Sequence, residues 1–429
     1  MKFDILVVGA GPAGLNAALT AAQAGARVGL VDDNALAGGQ VWRQGPHHRA
    51  GAHARSLLGR LDTLVQRGAL THLAGTRIVQ ALPGRQLLAE EAHGARVLGY
   101  DRLIVASGAR ERFLPYPGWT LPGVTGAGGL QALVKGGMDV RGERIVIAGS
   151  GPLLLAAAIT ARAQGASVVA LVEQASGACV RRFAAQLVHT PAKLGQALRM
   201  RFDLRATPYW CGSHVIEACG ETRLTHVRVQ RGNDEVSVAC DRLACAYGLV
   251  PNTSLGAELG CRIDDQPLAD GRDAVIAVDG WQATSVEHVY AAGECTGVGG
   301  MELSAVEGRI AAHAALGERE RAQASFAERE HYRRFAARLS AAFALDARLR
   351  DLASPQTTFC RCEDVAFGDV AQHRSWREAK LHTRCGMGPC QGKICGTAAS
   401  FCFGWTQDVP RPPLAPARIG TLLAAPAED

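Results

Sequence analysis

Five of the thirteen cysteines crowd into two short stretches, TFCRCEDV and TRCGMGPCQGKIC, as Cys360, Cys362, Cys385, Cys390 and Cys395. Thiols in such numbers serve as metal ligands in a reducing compartment or as a disulfide framework in an oxidising one. The cysteine count is odd, the chain is long, and its start, MKFDILVVGAGPAG, lacks a charged n-region and a cleavage site. A cytoplasmic metal centre is therefore expected. Residues two apart on an extended segment face the same way, so Cys360 and Cys362 are expected to share one centre. Cys390 and Cys395 form C-x4-C in a glycine-rich turn leading to a short helix, where backbone N–H groups are free to bond cluster sulfides. Four thiolates in two pairs suit a [2Fe–2S] cluster. Zinc also accepts four cysteines, usually with C-x2–4-C in both halves. Spacing alone leaves a choice, because Cys385 and Cys390 make a second C-x4-C.

A second kind of chemistry is written at the N-terminus. Gly9, Gly11 and Gly14 follow the apolar run DILVV and precede an Ala-rich helical pattern. The first glycine permits the tight turn, the second lets backbone approach a pyrophosphate, and the third lets helix pack on strand. The helix N-terminus offers N–H groups to the phosphates. Asp32 ends the next strand, placed to accept from a ribose diol. At GSGPLL the pattern restarts with Gly149 and Gly151, but Leu154 stands at the third position and is expected to push the helix off the strand; Glu173 takes the ribose-acid place. A working NAD(P) site, a site for another nucleotide and a turn kept for its fold all remain open there.

These units need a large α/β scaffold. The chain of 429 residues is long enough for two or three domains. The net charge of +6 is small and spread, and aromatics are only 5%, which disfavours nucleic-acid binding. No apolar run reaches transmembrane length. The expected organisation is an FAD-binding domain over 1–140 and 251–316, an inserted NAD(P)-binding-like domain over 141–250, a helical connector over 317–352, a [2Fe–2S] domain over 353–405 and a Pro-rich tail over 406–429, extended along a surface. Cys240 and Cys245 read as buried small hydrophobes; Cys295, beside a glycine turn, is a candidate cofactor contact. His47 and His48 read as a loop pair rather than an acid–base site.

The stretches GAGPAG, VDDNALAGGQ, LIVASGARERFLPYPG and VYAAGE resemble the disulfide-reductase-like pyridine nucleotide oxidoreductases, flavoproteins with two Rossmann-like dinucleotide-binding domains, the second inserted in the first. The resemblance implies FAD at Gly9, Gly11, Pro12, Ala13, Gly14, Asp32, Gly39 and Gln40, with Ser107 and Gly108 near the adenine half and Gly293 and Glu294 beside the ribityl chain. Glu294 replaces the Asp common in that family. The redox cysteine pair of the disulfide reductases is missing, so dithiol chemistry is not expected. The C-terminal stretch resembles the bacterioferritin-associated-ferredoxin type of [2Fe–2S] domain, in the version fused to flavoprotein subunits of opine oxidases, hydrogen cyanide synthase and hydroxyproline dehydrogenase. That implies Cys360, Cys362, Cys390 and Cys395 as ligands, with Cys385 an extra thiol. Lys380, His382 and Arg384 are either a face that steers an acidic electron-transfer partner or a solvated basic surface.

The resembling complexes pair such a chain with a flavoprotein of the amino-acid-oxidase type and carry an FMN between subunits. The expected role is an electron relay from that partner to an external acceptor. A stand-alone NAD(P)H-dependent reductase is the alternative enzyme, and a non-catalytic scaffold or iron-handling protein the reading outside enzymes.

Overall fold

The apolar run near the N-terminus becomes a strand, Lys2–Val8, with Ile5, Leu6 and Val7 fully buried. In a computed structural model, which describes residues 1–46, 48, 50–268, 271–407 and 411–425, this strand sits at the centre of the first sheet. It pairs in parallel with Val28–Asp32 on one side and with Gly94–Val105 on the other. Leu70–Ala74 closes one edge. Gln86–Glu91 and Arg77–Leu82 extend the other side antiparallel. Val289–Ala291 returns late in the sequence to pair in parallel with Gly94–Val105. Helices cover the central strands, which explains why they are continuously apolar instead of alternating. His47 lies outside the described residues, so the expected His47–His48 pair has no structural account.

The chain leaves this unit through Ala109–Glu111 and comes back through Leu249–Pro251. These two strands pair antiparallel as a short ribbon. Between them lies a second parallel sheet, in the order Tyr209–Cys211, Ser167–Glu173, Arg144–Gly149, Arg242–Ala246, Val124–Gly126. A three-stranded antiparallel sheet, Ser213–Cys219, His226–Arg231 and Asp234–Ala239, packs beside it.

The connector forms helices Arg319–Gln323 and Phe326–Ala342, then a short 3-10 turn over Ala347–Asp351. Leu345 and Leu349 bury into the same core as Val146, Ala148 and Val172 of the second sheet and Phe401 of the C-terminal module. That module has one small hairpin, Thr358–Cys360 with Val365–Ala366, and helices Phe367–Ala371, Trp376–Thr383 and Cys395–Phe403. The tail folds back on the first unit: Leu414 N donates to Val79 O at 2.8 Å, and Thr421 Oγ1 donates to Glu90 at 2.6 Å. No helix among the described residues is long and apolar enough to cross a membrane.

Candidate cofactor cradle and thiol centre

The first glycine turn is built by contacts that leave no room for side chains. A Cβ on Gly14 would stand 1.7 Å from Gly9 O, and one on Gly9, where φ is +106°, would stand 2.2 Å from Ala106 O. The helix Pro12–Gln23 therefore starts hard against the strand, with proline in its first turn and no side chain capping its N-terminal N–H groups. Those donors are available to an anion. A Cβ on Gly11 would find its nearest neighbour in Gly39 Cα, 4.0 Å away, an ordinary contact distance.

Several of the residues named from the sequence pack at or beside this turn. Asp32 accepts from Ala10 N at 2.6 Å and from Asn34 N at 2.8 Å, so its carboxylate also fixes the turn. Gly39 lies against Gly11, and Gln40 accepts from Arg43, which bonds Asn34 in turn. Ser107 follows Ala106, the residue that packs on Gly9, and its hydroxyl donates to Asn252 O at 2.7 Å. Gly293, φ +80°, lies against Ala13 and donates its N–H to Glu307. Burial pushes the Glu294 carboxyl up. Cys295 is fully buried, with its thiol on the carbonyls of Val105 and Ala292 and hydrogen-bonded to Ser107.

Glu307 had no sequence signal. It sits buried in helix Met301–Ala315, where it holds the Gly293 turn and faces Arg333 at 3.4 Å. Burial pushes its carboxyl up, with Arg333 opposing. Gly308 in the same helix allows a close crossing, since a Cβ there would meet Ala13 O at 2.1 Å.

The second glycine turn is arranged differently. Its helix, Leu153–Ala163, starts one residue later relative to the glycines than the first, and Leu154 is fully buried in the core instead of displacing the helix from the sheet. Glu173 accepts from Gly151 N and Ala175 N, and from the Tyr209 hydroxyl at 3.3 Å. The connector lies over the turn. Ser150 Oγ donates to Phe343 O, and Gln174 donates to Ala344 O. The Phe343 ring is 3.6 Å from where a Gly151 Cβ would be.

In the C-terminal module the sulfurs of Cys360, Cys385 and Cys395 lie within 4.8 Å of one another, all buried. Cys362 is exposed and hydrogen-bonds with Cys390. The expectation that Cys360 and Cys362 face the same way does not hold. Cys360 ends its strand and the chain turns at once, reaching φ +52° at Asp364, so the two-residue alternation is lost. Gly388 packs on Cys362 instead: a Cβ there would meet Cys362 Cβ at 2.4 Å, which brings the Cys390 loop to Cys362. Gly386 and Gly392 lie against the Trp376 ring. The glycines of GMGPCQG are thus packing sites that draw the loop onto the hairpin. The neighbouring thiols donate to Cys360 and hold it far below the ordinary thiol range, while Cys385 is pushed up to about 12, chiefly by Cys360. Arg384 is engaged by Glu363 at 2.8 Å and His382 stacks on His373, which leaves Lys380 as the half-buried third member of that basic set. Cys240 and Cys245 are buried in the second unit's core, Cys245 beside the Tyr116 hydroxyl.

Residues 3–319 match the family described as pyridine nucleotide-disulphide oxidoreductase. The chain is 32% identical to the HcnB subunit of hydrogen cyanide synthase from Pseudomonas aeruginosa, covering 92% of this chain and 91% of that one. It is 31% identical to the A subunit of opine oxidase from Rhizobium meliloti over 97% and 98% of the two chains. Among solved structures, L-proline dehydrogenase from P. horikoshii superposes with a TM-score of 0.69 at 16% identity, covering 98% of this chain and 79% of that one.

Proposed function

Because the chain belongs to the pyridine nucleotide-disulphide oxidoreductase family and is an FAD-binding oxidoreductase, we propose that it is the electron-transfer subunit of a heteromeric dehydrogenase acting on the C–N bond of an amino acid, opine or hydroxyproline. A partner flavoprotein of the amino-acid-oxidase type takes the hydride, and this subunit passes the electrons to an external acceptor. When bound, a flavin supplies two-electron acceptance with one-electron release, and a [2Fe–2S] centre supplies one-electron carriage.

The residues do the holding. Gly9, Gly11 and Gly14 give the diphosphate a backbone bed, Asp32 offers the ribose an acceptor, and Ser107, Gly108, Gly293 and Glu294 line the remaining wall. Cys360, Cys362, Cys390 and Cys395 are the proposed iron ligands, with Cys385 against the centre. An FMN at the boundary with the partner belongs to the same reading. A cytoplasmic location suits thirteen free thiols.

One observation carries the relay reading above the self-contained reductase: the chain's own Phe343 packs on the second glycine turn and accepts from Ser150 within it. Native co-purification with cofactor analysis tests it. A flavoprotein partner, FAD and iron travelling together are expected; a partner-free chain that NADH reduces within seconds would contradict it.

A further inference from the structure

Two arginines and one acid meet at the ribbon between the two units. Arg112 takes the acid, bonding Asp273 through Nη2 at 2.7 and 2.8 Å. Arg110, two residues earlier, is left with neutral partners. Its Nε donates to Lys393 O at 3.0 Å, and its Nη1 donates to Pro251 O and to Asn252 Oδ1 at 3.1 Å. Nη2 donates to no residue among those described. Lys393 lies inside the Cys390–Cys395 loop. Asn252 returns to the flavin-side turn: its Nδ2 donates to Ser107 O at 3.0 Å, its N–H donates to Gly108 O at 2.9 Å, and its own carbonyl accepts from Ser107 Oγ. A continuous hydrogen-bonded chain therefore runs from the Ser107–Gly108 turn through Asn252 and Arg110 to the thiol loop.

We propose that Arg110 is a positioning residue for the iron–sulfur centre, tying the Cys390–Cys395 loop to the flavin-side turn and holding against that loop a guanidinium whose own hydrogen-bond partners are all neutral. The inference rests on the [2Fe–2S] reading given above. Burial is the main cause that pushes the Arg110 guanidinium down to about 10, Arg112 adds to it, and Asp273 and Cys390 oppose it. Lys393 is also half-buried, with its Nζ on Leu414 O and Cys390 favouring its charge. An acid at this place would neutralise the guanidinium before any cluster formed. Asp273 is hydrogen-bonded by Arg112 and acts on Arg110 only through space. A cation held in low dielectric beside a ligand thiolate stabilises the reduced, more negative state of the centre, and the unspent N–H groups can bond its sulfurs. The tether works on geometry at the same time: the planar fork reaches two backbone segments at once, which a lysine cannot do.

The test is redox-monitored EPR on the whole chain with its flavin, in wild type, Arg110→Gln and Arg110→Lys, each assayed for iron, labile sulfide and FAD. Arg110→Gln is expected to disfavour cluster reduction by about tenfold, which is 59 mV for a one-electron couple. Arg110→Lys keeps the charge and is expected to recover most of that shift while slowing electron passage between flavin and cluster, because the fork is gone. Should Arg110→Gln not fold, the lysine variant alone decides through that rate. An unchanged potential in an iron-replete Arg110→Gln, or an unchanged rate in Arg110→Lys, overturns the proposal. Wild type without iron would instead defeat the underlying [2Fe–2S] reading.

Discussion

The Ser150 hydroxyl donates to the Phe343 carbonyl at 2.7 Å across the gap between the second glycine turn and the connector. This bond, with the Phe343 ring against Gly151, occupies the space through which a pyrophosphate would approach backbone in a working dinucleotide site.

Nicotinamide should accordingly be a poor donor. Mixing the purified chain with NADH under anaerobic conditions should leave the flavin oxidised over seconds, and NAD should not raise its melting temperature. Phe343→Ala removes the cover. As Phe343 is half-buried, the loss of stability should be about 1–3 kcal/mol, below the range for fully buried rings, and weak ADP binding should become measurable by calorimetry. Rapid flavin reduction by NADH in wild type would contradict the account.

Flavin retention should depend on the first turn. Gly14→Ala drives a methyl into the Gly9 carbonyl, a backbone group with no soft direction in which to move. FAD binding should weaken by at least about tenfold, or 1.4 kcal/mol, as read by flavin fluorescence after gel filtration. Gly51→Ala, where a Cβ meets nothing within 4 Å, is the matched control and should keep its flavin.

The serine series separates the thiols. Cys390→Ser should abolish the visible absorbance of the cluster while leaving FAD bound. Cys385→Ser should keep most of the absorbance, with an altered EPR signature because its sulfur lies against Cys360 and Cys395. Cluster loss in Cys385→Ser alongside retention in Cys362→Ser would transfer the ligand role from Cys362 to Cys385.

A pH signature follows from Glu173. Burial, the largest cause, pushes its carboxyl up to about 7 against four hydrogen-bond donors. The folded state then holds its proton more tightly than the unfolded state, so stability falls as pH rises from the ordinary carboxylate range to about 7 and is level outside that window. The drop is on the order of 3 kcal/mol at ~1.4 kcal/mol per pH unit. Glu173→Gln should lose an acceptor at every pH, costing about 1–3 kcal/mol, and should flatten that part of the slope. Glu111 and Glu307 are also raised and titrate in both proteins, so the comparison is between wild type and variant. Parallel denaturation curves at pH 5 and pH 7 would contradict the assignment.

What sequence made legible here is what backbone geometry dictates locally. Gly9, Gly11 and Gly14 announce their turn because no other residue type fits it, and Leu30, Val31 and Asp32 announce the following strand by burial and its terminal acid. The misreadings come from chain direction and distance. Spacing puts Cys360 and Cys362 on one face, but the turn after Cys360 breaks the alternation, and Cys362 packs on Gly388 instead. The bulk of Leu154 argues for a spoiled second unit, and a later helix start absorbs it. Phe343 over Gly151, Gly308 against Ala13 and Arg110 on Lys393 join segments far apart in sequence. A lone glycine in a helix or an arginine beside a strand carries no mark of its distant partner.

On the proposed reading, one polypeptide holds both a flavin and an iron–sulfur centre. Anaerobic purification followed by iron, labile-sulfide and flavin assay, with EPR of the dithionite-reduced chain, addresses it most directly. About two iron and two sulfide per chain, as a [2Fe–2S] centre requires, together with FAD and a reduced-cluster signal, is the expected result. Stoichiometric zinc, or flavin with neither iron nor sulfide, would contradict it.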